Sequence, residues 1–180
     1  TFPSSRPHPW RRKRGADPRW IKFYGAGEAK PNGNFTSACG QQVYRAKLFP
    51  EEYHGNYFCC DPQQNMVHRA LIGRDGPGLK VRRHPDQSNS EFLTSSDGWF
   101  RPNNLRIGPD GALYIIDMYR EIIEDYSAIP RYLQQQYGLL NGNDRGRIWR
   151  LAPENSPPTP IRNGHFEAAD PVTERITALY

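Results

Sequence analysis

The chain has 180 residues, a formal net charge of +5 and a mean hydropathy of −0.85. That length supports one ordinary domain, and no apolar run approaches the ~20 residues of a membrane-crossing helix, so no membrane span is expected. Sixteen glycines and 17 prolines beside 12% aromatic residues favour short strands and turns over long helices.

Residues 1–33 read as a Pro/Arg-rich loop segment. Its basic cluster, Arg11 to Arg14, lies among Pro3, Pro7, Pro9 and Pro18. No nucleic-acid-binding module accompanies the cluster, so it reads as a solvated segment and no nucleic-acid partner is expected. The one apolar stretch here, "WIKFYG" at 20–25, reads as a strand. The chain opens on Thr1 without a signal-peptide pattern and reads as a piece of a longer protein.

From residue 34 the strands crowd together. "FTSACG", "QQVYRA", "NYFCCD" and "NMVHRALI" fall between 35 and 72. "EFLTSS", "NNLRIG" and "ALYIID" follow between 91 and 117. The last two are joined by "GPDG", where Pro109 presets φ, Asp110 can bond its own backbone and Gly111 accepts a positive φ. Between Met118 and Gly142 the spacing becomes helical and ends on Gly138 and Gly142. "GRIWRLAP" returns to a strand. Residues 153–167, rich in proline, read as a linker. Residues 168–180 open with Asp170 and Pro171, an N-cap and first helical position, and predict a helix.

Three cysteines, Cys39, Cys59 and Cys60, contain no C-x-x-C or C-x-x-C-H, so this stretch carries no zinc set and no covalent haem site. Cys59 and Cys60 are neighbours on one strand and point to opposite faces. Only one of them can face Cys39. A Cys39–Cys60 disulfide, which would place the protein outside the cytosol, and three free buried thiols both remain open.

A faint repeat runs through the strand-rich region. "GNYFCCD" is followed by "MVHRAL", and "GALYIID" is followed, after the helical excursion, by "RIWRLA". Each half is a turn glycine, an apolar strand ending in Asp61 or Asp117, then a strand of the form apolar-x-Arg. The spacing of the two aspartates is near a propeller-blade period of about 40–50 residues.

The string "NFTSACG…VYR…LFPEEYHGNYFCCDPQQNMVHR…FLTSSDGWFRPNNLRIGPDGALYIIDMYR…DRGRIWRL" resembles the six-bladed β-propeller of bacterial membrane-bound dehydrogenase-like proteins. These are related to quinoprotein glucose and sorbosone dehydrogenases. The resemblance covers residues 34–152, and "FRP…GPDGALYIIDMYR…DRGRI" is its most specific part. It implies an all-β fold: about the last two blades of a six-bladed propeller, with a short helical insertion. Residues 168–180 would then begin a helical-repeat region.

The resemblance further implies a quinoprotein-like oxidoreductase of the periplasm or cell envelope. Such a protein oxidises a sugar-like alcohol by hydride transfer to bound pyrroloquinoline quinone, often with calcium. A cytochrome c domain or another acceptor takes the electrons. The catalytic His would lie in an earlier blade, outside this sequence. Arg101 matches the family's "RP" corner and is the first cofactor-binding candidate, expected to be exposed at the channel end. The alternative for it is a guanidinium bonding loop carbonyls between blades.

Asp117 and Arg120 close the strand "ALYIID" and are the other two cofactor-binding candidates. For Asp117 the structural alternative is bonding to turn amides or to Arg145 or Arg147. His68 is a candidate base or a satisfied strand histidine, and Asp61, Asn65 and Arg45 are weaker candidates of the same kind. Trp99 and Phe100 are blade-packing aromatics or a sugar-stacking platform. Against the enzyme stands a second class, a non-catalytic propeller serving as a binding or scaffold module.

Overall fold

The computed structural model describes residues 16–24, 35, 37–123, 131–134 and 138–156. Within them the chain is all-β with two short helices. The elements are α1 (Pro18–Tyr24), β1 (Cys39–Val43), β2 (Tyr57–Asp61), β3 (Met66–Asp75), β4 (Gly78–Arg83), β5 (Leu93–Thr94), β6 (Pro102–Ile107), β7 (Leu113–Asp117), α2 (Arg131–Gln134) and β8 (Arg147–Leu151).

Every strand pair is antiparallel. The first sheet is a meander, β1-β2-β3-β4. The edge of β3 is shared: β4 covers Ala70 to Asp75, and β5 covers Met66 and Val67. The second sheet is a shorter meander, β6-β7-β8.

The two sheets close on one core. Phe58, Cys60 and Val67 from the first sheet meet Leu105, Leu113 and Ile115 from the second, with Tyr44, Phe49 and Phe100 completing the cluster. Alternation along β7 decides which residues enter. Leu113, Ile115 and Asp117 are buried, and Tyr114 and Ile116 between them are only partly so. A strand's side chains point alternately to its two faces, so one face of "LYIID" is committed to the core. Each large apolar side chain fully buried contributes about 1.5–3 kcal/mol.

Tyr44 pins the sheets together beyond its ring. Its hydroxyl donates to the Gly111 carbonyl at 2.8 Å and accepts from the Phe49 N–H at 2.9 Å. Gly111 is the turn residue between β6 and β7, with φ +80°, as "GPDG" predicts. Backbones also approach closely at Gly40. Its φ is +59°, and a Cβ added there would lie 2.5 Å from the Asn104 Cα. Only glycine fits both demands.

The repeat read in the sequence is physical. β2 and β7 are each the middle strand of a meander, and each ends in a buried aspartate that binds backbone N–H groups. Asp61 Oδ1 accepts from Gln63 and Gln64, both at 3.1 Å. Asp117 Oδ1 accepts from Arg101 at 2.8 Å and Tyr119 at 2.9 Å. β3 and β8 follow as third strands. β1 and β6, the first strands, each carry a register irregularity, at Cys39/Gln42 and Pro102/Asn104.

Three expectations change. "WIKFY", residues 20–24, belongs to helix α1, not a strand. Asp17 starts it, accepting from the Arg19 N–H at 2.9 Å through its carboxylate and from the Ile21 N–H at 3.0 Å through its carbonyl, with Pro18 at the first helical position. "FTSACG" and "QQVYRA" supply one strand, β1. The hairpin β3–β4 was not expected. It is exposed on both faces from Gly73 to Arg82, so it lacks the apolar alternation that marks a half-buried strand. Its turn signal, "DGPG", was present, and Gly76 has φ +59°. Of the helical excursion, α2 is the described helical part; residues 124–130 and 135–137 lie outside the described residues, as does the helix expected at 168–180.

Candidate functional site

Where β7 ends, the chain leaves the sheet and returns only at Arg147. This opens a cleft of about 460 Å³ lined by Asn103, Asp117, Met118, Arg120, Asn143 and Arg147, among others. Two of the residues singled out from sequence, Asp117 and Arg120, therefore share one wall.

Asp117 is the hub. Beyond its two backbone partners, its Oδ2 accepts from the Trp149 indole N–H at 3.0 Å, and the Arg147 guanidinium lies 3.8 Å away. Arg147 sits 3.6 Å above the centroid of the Tyr119 ring, a cation–π geometry. Tyr119 has φ +49°, an uncommon conformation for a bulky residue. Its N–H bond to Asp117 and its ring contacts with Arg147 and Trp99 hold it there. Arg120 donates to the carbonyls of Met118, Tyr119 and Gly142. Asn103 Oδ1 is buried and has no hydrogen-bond partner among the described residues.

Arg101 is not exposed at a channel end. It is 2% exposed, and its side chain fills the joint between the sheets. Nε donates to the Arg120 carbonyl at 2.8 Å, one terminal nitrogen to the Pro62 carbonyl at 3.0 Å, and the other to the Glu121 carbonyl at 2.5 Å. A planar fork of fixed donors suits this task. It ties the turn after β2 to the segment after β7. Asn65 adds to the joint by donating to the Gly98 carbonyl at 3.1 Å and to the Phe100 carbonyl.

The three residues expected to hold a quinone are each engaged by protein groups. Each guanidinium nitrogen of Arg101 already meets a carbonyl, Asp117 is engaged by backbone and indole donors, and Arg120 is turned to three carbonyls. Among the described residues, no group of three His, Cys, Asp or Glu side chains converges as metal ligands.

His68 lies on β3, directly opposite Cys59. Its Nδ1 is 2.6 Å from Glu91 Oε2, and Arg83 donates to Glu91 Oε1 at 2.8 Å. The Glu91 and His68 side chains are both buried. Sequence reasoning reached His68 but missed Glu91 and Arg83. Glu91 precedes β5, 23 residues from His68 in sequence, and only the pairing of β3 with both β4 and β5 brings the three together. Asp61 is buried under its turn, Arg45 is exposed, Phe100 is in the core, and Trp99 packs beside Tyr119.

The pairing of β1 with β2 sets Cys60, and not Cys59, opposite Cys39, and all three cysteines are free thiols.

The family described as Domain of unknown function (DUF7133) matches the chain over residues 7–155. No curated protein and no solved structure matches it.

Proposed function

The chain belongs to the family described as Domain of unknown function (DUF7133), and we propose that residues 34–152 are about two neighbouring blades of a larger β-propeller of the quinoprotein sugar-dehydrogenase kind. The observation that carries this reading is the pair of equivalent antiparallel meanders, each with a buried aspartate closing its middle strand, packed face to face on one core. Propellers are built by such repetition around a channel, each sheet burying its faces against the next.

In this reading the parent oxidises a sugar-like alcohol in the periplasm or cell envelope. Bound quinone, with calcium, supplies the hydride acceptor, and a cytochrome c domain or another carrier takes the electrons onward. Arg101 ties the first blade to the second through the Pro62, Arg120 and Glu121 carbonyls, and Asp117 holds the second blade's own corner, departing segment and returning strand. The catalytic His belongs to another blade.

The engagement of Arg101, Asp117 and Arg120 by protein groups favours a second reading, a propeller without chemistry that serves as a binding or scaffold module. One experiment separates the two. The full-length parent is loaded with pyrroloquinoline quinone and calcium, quinone binding is followed by absorbance, and reduction of an electron-accepting dye is measured with a panel of sugars and alcohols. Saturable quinone binding with substrate-dependent dye reduction supports the dehydrogenase. Absence of both leaves the scaffold reading.

A further inference from the structure

We propose that Cys39 and Cys60 are the two halves of a reversible cross-strand disulfide that staples β1 to β2 at the joint between the sheets. This inference stands on register and packing and is independent of the propeller reading.

Cys39 and Cys60 are Cα partners across the antiparallel pair. Directly opposed residues on such strands have Cα atoms about 4.5–5.5 Å apart and side chains on the same face. A disulfide asks for about 4.4–6.8 Å. Both side chains enter the same core, with Cys60 a member of the central cluster and Cys39 packed against it. Cys59 is the wrong neighbour. It stands opposite His68, and its Sγ rests against carbonyl oxygens, 3.5 Å from that of Cys39 and 3.4 Å from that of Cys60.

The structure holds the reduced form. The oxidant is a disulfide, of a small thiol or of a thiol-oxidising enzyme. Cys39, half-buried where Cys60 is fully buried, is the thiol within reach. Its proton goes to water, and its thiolate attacks one sulfur of the oxidant, releasing the other as a thiolate. Cys60 loses its proton and displaces the remaining oxidant sulfur, closing the Cys39–Cys60 bond. Two electrons leave on the reduced oxidant, so the balance is complete. Burial pushes the Cys39 thiol up to about 11, with the charges of Cys59 and Asp61 adding to it. Burial also raises Cys60, and nearby Cys39, Cys59 and Asp61 raise it further. Thiolate is therefore scarce at neutral pH, and bridging should be slow and base-accelerated.

The test equilibrates the intact chain, without denaturant, across ratios of oxidised to reduced glutathione. Samples are quenched with acid, unfolded, alkylated and peptide-mapped. The expected product joins the Cys39 and Cys60 peptides, leaves Cys59 alkylated, reverses with reductant, and forms about tenfold faster per pH unit below the thiol pKa. Oxidation should raise the melting temperature. Cys59→Ala should keep both the bridge and that rise, and Cys39→Ser should abolish both. A Cys39–Cys59 linkage, a bridge formed only between two copies, a glutathione adduct that never resolves, or no oxidation at any ratio overturns the inference. So does a melting-temperature rise that survives Cys39→Ser.

Discussion

The two sheets begin alike and differ at one connection. In the first, Asp61 is followed by a tight turn over residues 62–65, and β3 starts at once. Asp61 there accepts from the Gln63 and Gln64 N–H groups and the Gln64 side-chain amide, all within its own turn. In the second, the chain leaves after Asp117 and returns at Arg147. The same aspartate position must now hold the departing strand through the Tyr119 N–H, the preceding corner through the Arg101 N–H, and the returning strand through Trp149 and Arg147. A tight turn makes a closed end. A long excursion from the same position makes a cleft, and its walls include Asp117, Arg120 and Arg147, groups that hold the excursion in place.

The comparison breaks most completely if the shared core fails. Phe58→Ala removes a fully buried ring from between the sheets and should destabilise by about 3–5 kcal/mol. Ile115→Ala, in the facing sheet, should lose about 2–5 kcal/mol. Denaturant unfolding measured on both checks the range, and two separate transitions in either variant would mean that the sheets do not fold as one unit.

Arg101→Ala comes next. Removing a buried guanidinium strands the carbonyls of Pro62, Arg120 and Glu121 and should destabilise by about 3 kcal/mol. Arg101→Lys, a point donor in place of a fork, should recover only part. If Arg101→Ala melts like the unaltered chain, the joint is not where this contact places it.

Gly40→Ala should destabilise by about 1–3 kcal/mol, because the left-handed φ and the nearby Asn104 backbone both oppose a Cβ. Gly55→Ala, also left-handed but with nothing near its Cβ, should cost about 1 kcal/mol, from backbone strain alone. Equal melting temperatures for the two variants would remove close sheet approach from the account.

The smallest effect sharpens the contrast at the opposite end of the second sheet. Burial disfavours ionisation of Asp110, but hydrogen bonds from Arg150, the Ala112 N–H and Tyr114 outweigh it and hold the carboxyl below its usual range. A carboxyl with a lowered folded-state pKa stabilises fully above its unfolded pKa and loses that stabilisation as pH falls through the folded value. Arg150→Ala should therefore lower the melting temperature slightly near neutrality and reduce its fall in acid. A pH profile unchanged by Arg150→Ala would detach the pair from stability.

The sequence by itself carried the local chemistry. The apolar strands, the "GPDG" turn, the paired aspartates and the opposite facing of Cys59 and Cys60 are all set by alternation, turn residues and strand direction, which act over a few residues. Two further local signals lie in the sequence, Asp17–Pro18 for α1 and "DGPG" for the exposed hairpin β3–β4. What only the tertiary structure decided is which way polar side chains turn once the sheets meet. Arg101 looks like an exposed corner residue beside a proline, but the carbonyls of residues 62, 120 and 121 converge on it and draw it inward. Likewise, His68 acquires Glu91 and Arg83 only because β3 shares its edge between β4 and β5. Those partners are distant in the chain, and a buried donor or acceptor must find a partner wherever the fold supplies one.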